Sequence, residues 1–177
     1  SVSHMGFVML GVSAVAASGG TSASPGLNGA ALQMFTHGTI TGLLFVAVGL
    51  VYDRARTRHI PDLGGLASRM PFIAVAFLLA GLGSLGLPAT SGFVAELMIF
   101  LGTFPVWGVL TAVGLLGVLL TAGYILWALQ RTLFGPALPR WESLKDATLP
   151  EAVAPVVLGV AILVVGIYPA VVSDVFG

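Results

Sequence analysis

One carboxylate in this sequence lies where water should be scarce. Glu96 sits inside the apolar run Phe93-Val94-Ala95-Glu96-Leu97-Met98-Ile99-Phe100. The other six acids, Asp53, Asp62, Glu142, Asp146, Glu151 and Asp174, fall in loops or near the ends of apolar runs. Removal from water favours the neutral form of a carboxyl, and a cation brought near favours the ionised form. A carboxyl so placed can hold a proton and release it when charge moves nearby. An acid inside an apolar span therefore points to proton transfer. The competing reading is a structural acid that hydrogen-bonds loose backbone.

His37 is the second candidate. Gln33, His37 and Thr41 are spaced i, i+4, i+8, which puts them on one face of a helix. A polar stripe on a spanning helix should face protein or water, and histidine can accept a proton on one nitrogen and give it from the other. A proton relay is one reading; interhelical hydrogen bonds that fix packing are the other. His4 has the same two readings, whereas His59 falls in a basic stretch and reads as solvated. The three histidines lack metal-ligand spacing. Thr121 and Tyr124, at i and i+3, read as packing residues before they read as lining of a hydrated path.

These residues need a scaffold, and the composition says which kind. Hydrophobic residues make up 57% of the 177 and charged residues only 8%, against about 25% charged in a soluble domain. The solvent for such a surface is lipid. A formal net charge of +0 offers no basic face for nucleic acid. With no cysteine, disulfides, thiolate metal sites and cysteine-held iron–sulfur clusters are excluded within the chain, and neither cofactor nor metal is expected.

Five apolar segments follow one another: about Val2 to Ala17, Leu27 to Tyr52, Pro71 to Phe104, Val106 to Leu133 and Pro150 to Tyr168. The first looks clipped at its start, which predicts a piece of something longer. A spanning helix needs about 20 apolar residues, and the runs do not alternate as barrel strands would. The expected fold is all-α, a polytopic transmembrane bundle of about five spanning helices in one region covering 1–177. The third segment is too long and carries Gly86-Leu87-Pro88-Ala89-Thr90-Ser91-Gly92. Pro88 lacks a backbone donor and Gly92 is permissive, so this helix should be discontinuous between about Gly86 and Gly92. Loose backbone at membrane depth is tolerated where it is buried in protein or lines a cavity.

All seven basic residues fall after the second segment (Arg54, Arg56, Arg58, Arg69) or after the fourth (Arg131, Arg140, Lys145). The positive-inside rule puts both stretches in the cytoplasm. The third and fourth segments then cross once each, with the N-terminal end inside and the C-terminus outside. Ser18–Pro25 reads as a short external loop. Gly81-Leu82-Gly83-Ser84-Leu85-Gly86 matches G-x-G-x-x-G, but inside an apolar helix its small residues suit close packing rather than a dinucleotide. Gly38 and Gly42 form a GxxxG and predict close packing too.

Several strings carry a resemblance. Ser3-His4-Met5-Gly6-Phe7-Val8, Leu32-Gln33-Met34-Phe35-Thr36-His37-Gly38, Arg58-His59-Ile60-Pro61-Asp62-Leu63-Gly64-Gly65 and Leu87-Pro88-Ala89-Thr90-Ser91-Gly92-Phe93-Val94-Ala95-Glu96-Leu97 run in the order found in antiporter-like membrane subunits of respiratory complex I. The chain most resembles the M-type branch, because Glu96 stands where L- and N-type subunits and several sodium/proton antiporters typically place lysine. The resemblance implies a C-terminal part of a larger subunit, with a central lysine and a glutamate–lysine pair upstream. It implies that Glu96 is a terminal proton-channel residue on a discontinuous helix, joined to the central lysine through His37 and His4. It also implies a proton-translocating subunit of NADH:quinone oxidoreductase without its own redox centre, in a bacterial plasma membrane. Its partners would be other complex I membrane subunits, lipid and protons. A multisubunit cation/proton antiporter or membrane-bound hydrogenase subunit shares that fold, and a structural membrane scaffold is the remaining reading.

Overall fold

A computed structural model describes residues 1–19 and 24–173. The described residues form seven α-helices: α1 Val2–Ser18, α2 Ser24–Ala55, α3 Pro71–Ser84, α4 Ser91–Trp107, α5 Val109–Leu133, α6 Leu149–Ile167 and α7 Ala170–Ser173. Short 3-10 turns at Ile60–Asp62, Leu66–Ser68 and Pro139–Trp141 punctuate the loops. The chain is an all-helical membrane bundle. Helices α2, α5 and α6 are each long and apolar enough to cross a bilayer alone, while α1, α3 and α4 are shorter apolar helices.

The predicted discontinuity is present, and it lies between α3 and α4. At about 1.5 Å per residue, the 14 residues of α3 and the 17 of α4 cover about 21 and 25 Å. Each falls short of a bilayer alone; in series they suffice. One expectation needs correction. Gly92 is the second residue of α4 and no part of the break. The positive backbone angles belong to Gly86 (φ 69) and Ala89 (φ 74).

The two basic loops meet at one end of the bundle, as two single crossings by α3–α4 and α5 require. The Arg54 guanidinium donates to the Lys145 carbonyl (2.7 Å), the Asp146 carbonyl (3.2 Å) and the Glu151 carboxylate (2.6 Å). Arg69 faces Glu142 at 3.8 Å and Arg140 faces Asp62 at 3.5 Å. Asp146 does a job that its loop position did not announce. Its carboxylate accepts the N–H groups of Phe72 (2.7 Å) and Ile73 (3.2 Å), first-turn amides of α3 that have no carbonyl a turn earlier in the helix to reach. Below these loops Leu66, Met70, Ile73, Leu129, Leu133 and Trp141 form the largest apolar cluster.

Close helix packing is set by glycines at the opposite end. A Cβ on Gly11 would collide with the Gly26 carbonyl, one on Gly102 with the Gly26 backbone, and one on Gly29 with the backbone of Ile99. These contacts draw α1, α2 and α4 together. The GxxxG pair does not take part: nothing lies within 4 Å of a Cβ at Gly38, and at Gly42 the nearest atom, Leu158 Cδ1, is an ordinary 3.7 Å away. Gly81 of the glycine-rich run does pack closely, because a Cβ there would meet Leu129 Cδ1 at 2.8 Å. Segment edges also moved. Helix α2 extends past both limits of the expected Leu27–Tyr52. Helix α4 continues through Pro105 to Trp107, so α5 opens at Val109 after Gly108 rather than at Val106. Of the expected loop 18–25, residues 20–23 lie outside the described residues.

Asp146→Ala removes the acceptor from the first turn of α3. Replacing a capping acid generally costs about 0.5–2 kcal/mol. Denaturation of the detergent-solubilised protein should show a loss within that range, and Asp146→Asn, which keeps an acceptor, should lose less.

Candidate functional site

The break between α3 and α4 is a paired structure. Gly86, in the left-handed region just past α3, donates its N–H to the Gly83 carbonyl (3.2 Å), and the Leu87 N–H reaches the Leu82 carbonyl (3.1 Å). This double bond pattern is how helices commonly stop on a left-handed residue. A tight turn then runs from Leu87 to Thr90. The Thr90 N–H and hydroxyl both donate to the Leu87 carbonyl, at 3.0 and 2.6 Å. Pro88 in the second position and positive φ in the third fit a type II turn, where glycine or asparagine is usual at the third. Ala89 holds that place, and a Cβ on Gly166 of α6 would overlap the Ala89 carbonyl. Helix α6 thus braces the turn. The amides of Leu85, Gly86, Leu87 and Thr90 all reach carbonyls.

The Ser84 carbonyl loses its helical donor. In a continuous helix the Ser84 C=O would accept from the N–H four residues on, and that residue is Pro88, which has none. His4 supplies the donor: its Nε2 lies 3.1 Å from the Ser84 oxygen, and both residues are buried. A carbonyl can only accept. His4 therefore carries its proton on Nε2 in this arrangement. Its Nδ1, a buried lone pair, meets no hydrogen-bond partner among the described residues.

Around this bond the candidates converge. His4 Nε2 is 3.9 Å from Glu96 Oε1, beyond direct hydrogen-bonding reach but within that of one bridging water. The His4 and His37 rings stand 5.2 Å apart at their centroids. His37, half-buried, reaches the Ser1 hydroxyl with Nε2 at 3.2 Å. A small cavity is lined by His4, Gln33, His37, Gly83, Ser84 and Glu96, among others. Its room for a water centre is ≈ 10 Å³, about the least that holds one water molecule. Gln33 Oε1 is buried without a partner among the described residues, like His4 Nδ1. A water here would meet several polar atoms at once.

The Glu96 carboxyl rests on the break itself. A Cβ built on Gly86 would lie 2.6 Å from Glu96 Oε2, so the glycine gives the acid its seat as well as the chain its turn. Gly92 is needed for another close approach, since a Cβ there would run into the Gly83 carbonyl. The ends of the two half-helices can therefore lie against each other.

The structure thus brings Glu96, His4, His37, Gln33 and Gly92 together at the cavity, while Pro88, in the turn of the break, is not among its lining residues. Thr41 is apart from them. It does not line the cavity, and its hydroxyl donates to the His37 carbonyl of its own helix. Thr121 bonds the Gly117 carbonyl (2.9 Å) and takes the Tyr124 hydroxyl (3.4 Å). His59 pairs with Asp62 in the loop, 3.1 Å away. Sequence reasoning did not find Ser84 or Gly86 as site residues. The available signal was arithmetic: a proline at 88 frees the carbonyl of 84.

The family described as NADH:quinone oxidoreductase/Mrp antiporter, TM, matches residues 1–121, a stretch that contains every residue of this cavity. The chain belongs to that family. Among its relatives, NADH-quinone oxidoreductase subunit M of Rhodobacter capsulatus is 42% identical over all of this chain and 33% of its own length. F(420)H(2) dehydrogenase subunit M of Methanosarcina mazei is 36% identical over 98% of the chain and 34% of its own. The chain spans about a third of the length of these curated relatives. Respiratory complex I from Thermus thermophilus superimposes with a TM-score of 0.80 at 31% identity, covering 95% of this chain and 34% of that one. An archaeal membrane-bound sulfane sulfur reductase superimposes at 0.85 with 25% identity, over 97% of this chain and 27% of that one. The Mrp complex from Dietzia sp. DQ12-45-1b shares the fold, at 0.83 and 20% identity over 97% of this chain and 39% of that one.

Nitrogen-15 magnetic resonance of histidine-labelled protein, assigned by difference from a His4→Asn variant, separates the two neutral tautomers. The expected signal for His4 is a protonated Nε2 and a bare Nδ1; a bare Nε2 would contradict the Ser84 bond. Gly86→Ala should be destabilising by about 1–2 kcal/mol from backbone strain alone, with a further loss from displacing Glu96, as read by thermal unfolding.

Proposed function

We propose that this chain is the C-terminal part of a proton-translocating membrane-arm subunit of NADH:quinone oxidoreductase, complex I. In this reading it carries no redox centre and passes protons through Glu96 and a histidine axis. The observation that carries the proposal is the cavity at the helix break, where His37, His4 and Glu96 stand in series. The likeness to subunit M of Rhodobacter capsulatus over the whole chain supports the choice of complex.

The chemistry follows from the groups present. A proton arriving from the side of His37 finds the bare Nδ1 of His4. The imidazolium so formed gives its Nε2 proton to the Glu96 carboxylate, through a water that spans the 3.9 Å gap. Glu96 then holds a neutral acid in apolar surroundings, its favoured form there. A cation moved close along the axis reverses the preference and expels the proton to one side. In this reading the driving force comes from partner subunits.

By the positive-inside rule the end where the basic loops meet faces the cytoplasm of a bacterial plasma membrane. Helix α6 then runs outward, while Ser1, beside His37 in the middle of α2, lies at the depth of the break rather than at the cytoplasmic face expected for the N-terminal end. A second reading, a subunit of a cation/proton antiporter or of a related respiratory membrane complex, is favoured by the likeness to the sulfane sulfur reductase complex. The acid rather than a lysine at position 96 speaks for complex I.

Glu96→Gln keeps the shape and removes the titrating proton. In the assembled parent complex it should lower proton translocation by membrane vesicles about tenfold or more, with Glu96→Asp retaining part of the rate. A scaffold reading expects Glu96→Gln to be silent. Full pumping by an assembled Glu96→Gln complex would remove Glu96 from the mechanism.

A further inference from the structure

A second and larger cavity lies at the other level of the bundle, under the basic loops. It has a volume of ≈ 200 Å³ and opens between α2, α3 and α5. Its walls are apolar: Val48 and Val51 of α2, Phe77 of α3, and Ala128 and Leu133 of α5. The loop after α2 completes the lining, with Arg58 among its residues. None of its lining residues belongs to the Glu96 cavity.

The charges at this end are unevenly used. Arg54, Arg69 and Arg140 each face a carboxylate. Arg58 faces none among the described residues; its guanidinium lies over the Tyr52 ring, 4.4 Å from the centroid. Stacking on an aromatic face leaves the edge of a guanidinium, with its N–H donors, open to an anion. The depth fits as well. Val48 and Val51 fall in the last turns of α2, and Ala128 and Leu133 in the last turns of α5. The cavity therefore sits where hydrocarbon gives way to headgroups, with an unpaired cation at its polar rim.

We propose that this cavity is a binding site for an anionic phospholipid, one acyl chain in the apolar cleft and the phosphate at Arg58. Charge and shape both argue for this occupant. A free phosphate has no use for the apolar walls, and a zwitterionic lipid carries an ammonium that Arg58 would repel. Basic pockets between spanning helices on the cytoplasmic side suit such headgroups.

The test uses the parent complex, purified and stripped of lipid with detergent. It is then returned to vesicles of phosphatidylcholine with a minor share of spin-labelled phosphatidylglycerol or spin-labelled phosphatidylcholine. The immobilised fraction measures binding. Phosphatidylglycerol should be held about five-fold more tightly than phosphatidylcholine, the advantage of one arginine at a membrane surface, and Arg58→Gln should erase that difference. Ala128→Phe, which fills the cleft from α5, should reduce the immobilised fraction for both lipids while assembly stays intact. Equal retention of the two lipids by the unaltered complex, or a preference that survives Arg58→Gln, would overturn the proposal. So would failure of the complex to assemble with Ala128→Phe while the unaltered complex immobilises neither lipid, since another protein segment would then fill the cleft.

Discussion

A backbone carbonyl in a bilayer has nowhere to turn. Water is absent, and an unpaired polar group costs several kcal/mol in hydrocarbon. Pro88 creates that situation for Ser84 by withholding the only donor an α-helix would offer. Much of the site can be traced to how this debt of one hydrogen bond is met. His4 of α1 meets it from across the bundle at 3.1 Å. Doing so fixes the ring's position, fixes which nitrogen is bare, and sets the protonated nitrogen facing Glu96. Helix break, histidine and acid form one arrangement rather than three neighbouring features.

Other parts of the fold hold that arrangement steady. Gly166 lets α6 press against the turn that contains Ala89, a residue in a backbone region where alanine is uncomfortable. Strain of that sort persists only where the surroundings over-determine it. At one end, Asp146 and Glu151 tie the basic loops to the starts of α3 and α6. At the other, Gly11, Gly26, Gly29 and Gly102 bring α1, α2 and α4 close together. The half-helices are therefore gripped at both outer ends as well as at their junction.

Some of this could be read from residue types alone and some could not. Low charge and long apolar runs specify a membrane bundle. Pro88 in an over-long run specifies the break, and an acid within that run marks the candidate site. These are local signals with large energies behind them. The glycine contacts were less legible. Gly38 and Gly42 have the spacing of a packing motif yet make no close helix contact, whereas Gly26 and Gly102 are close-packed with 75 residues of sequence between them. Spacing along one helix cannot say which face its partner takes. The left-handed residue escaped for a similar reason: Gly86 and Gly92 are both permissive, and the choice between them depends on where α3 stops and α4 starts. Thr41 shows the limit of a helical stripe, since a residue can share a face with His37 and still spend its hydroxyl on its own backbone.

The Ser84 carbonyl has a further effect on any proton that travels through His4. A proton that enters at Nδ1 and leaves from Nε2 exchanges one tautomer for the other. The ring is then left with a lone pair aimed at the carbonyl's own lone pairs, and the bond that anchored it is gone. That state cannot pass a second proton in the same direction until the ring turns over or the nitrogens trade protons through water. On the proposed route the histidine would have a refractory period. A plain water chain between the same points would conduct in bursts and in both directions. A side chain that must be reset after each transfer instead meters protons singly, and gives a slower conformational step in the surrounding complex time to keep pace.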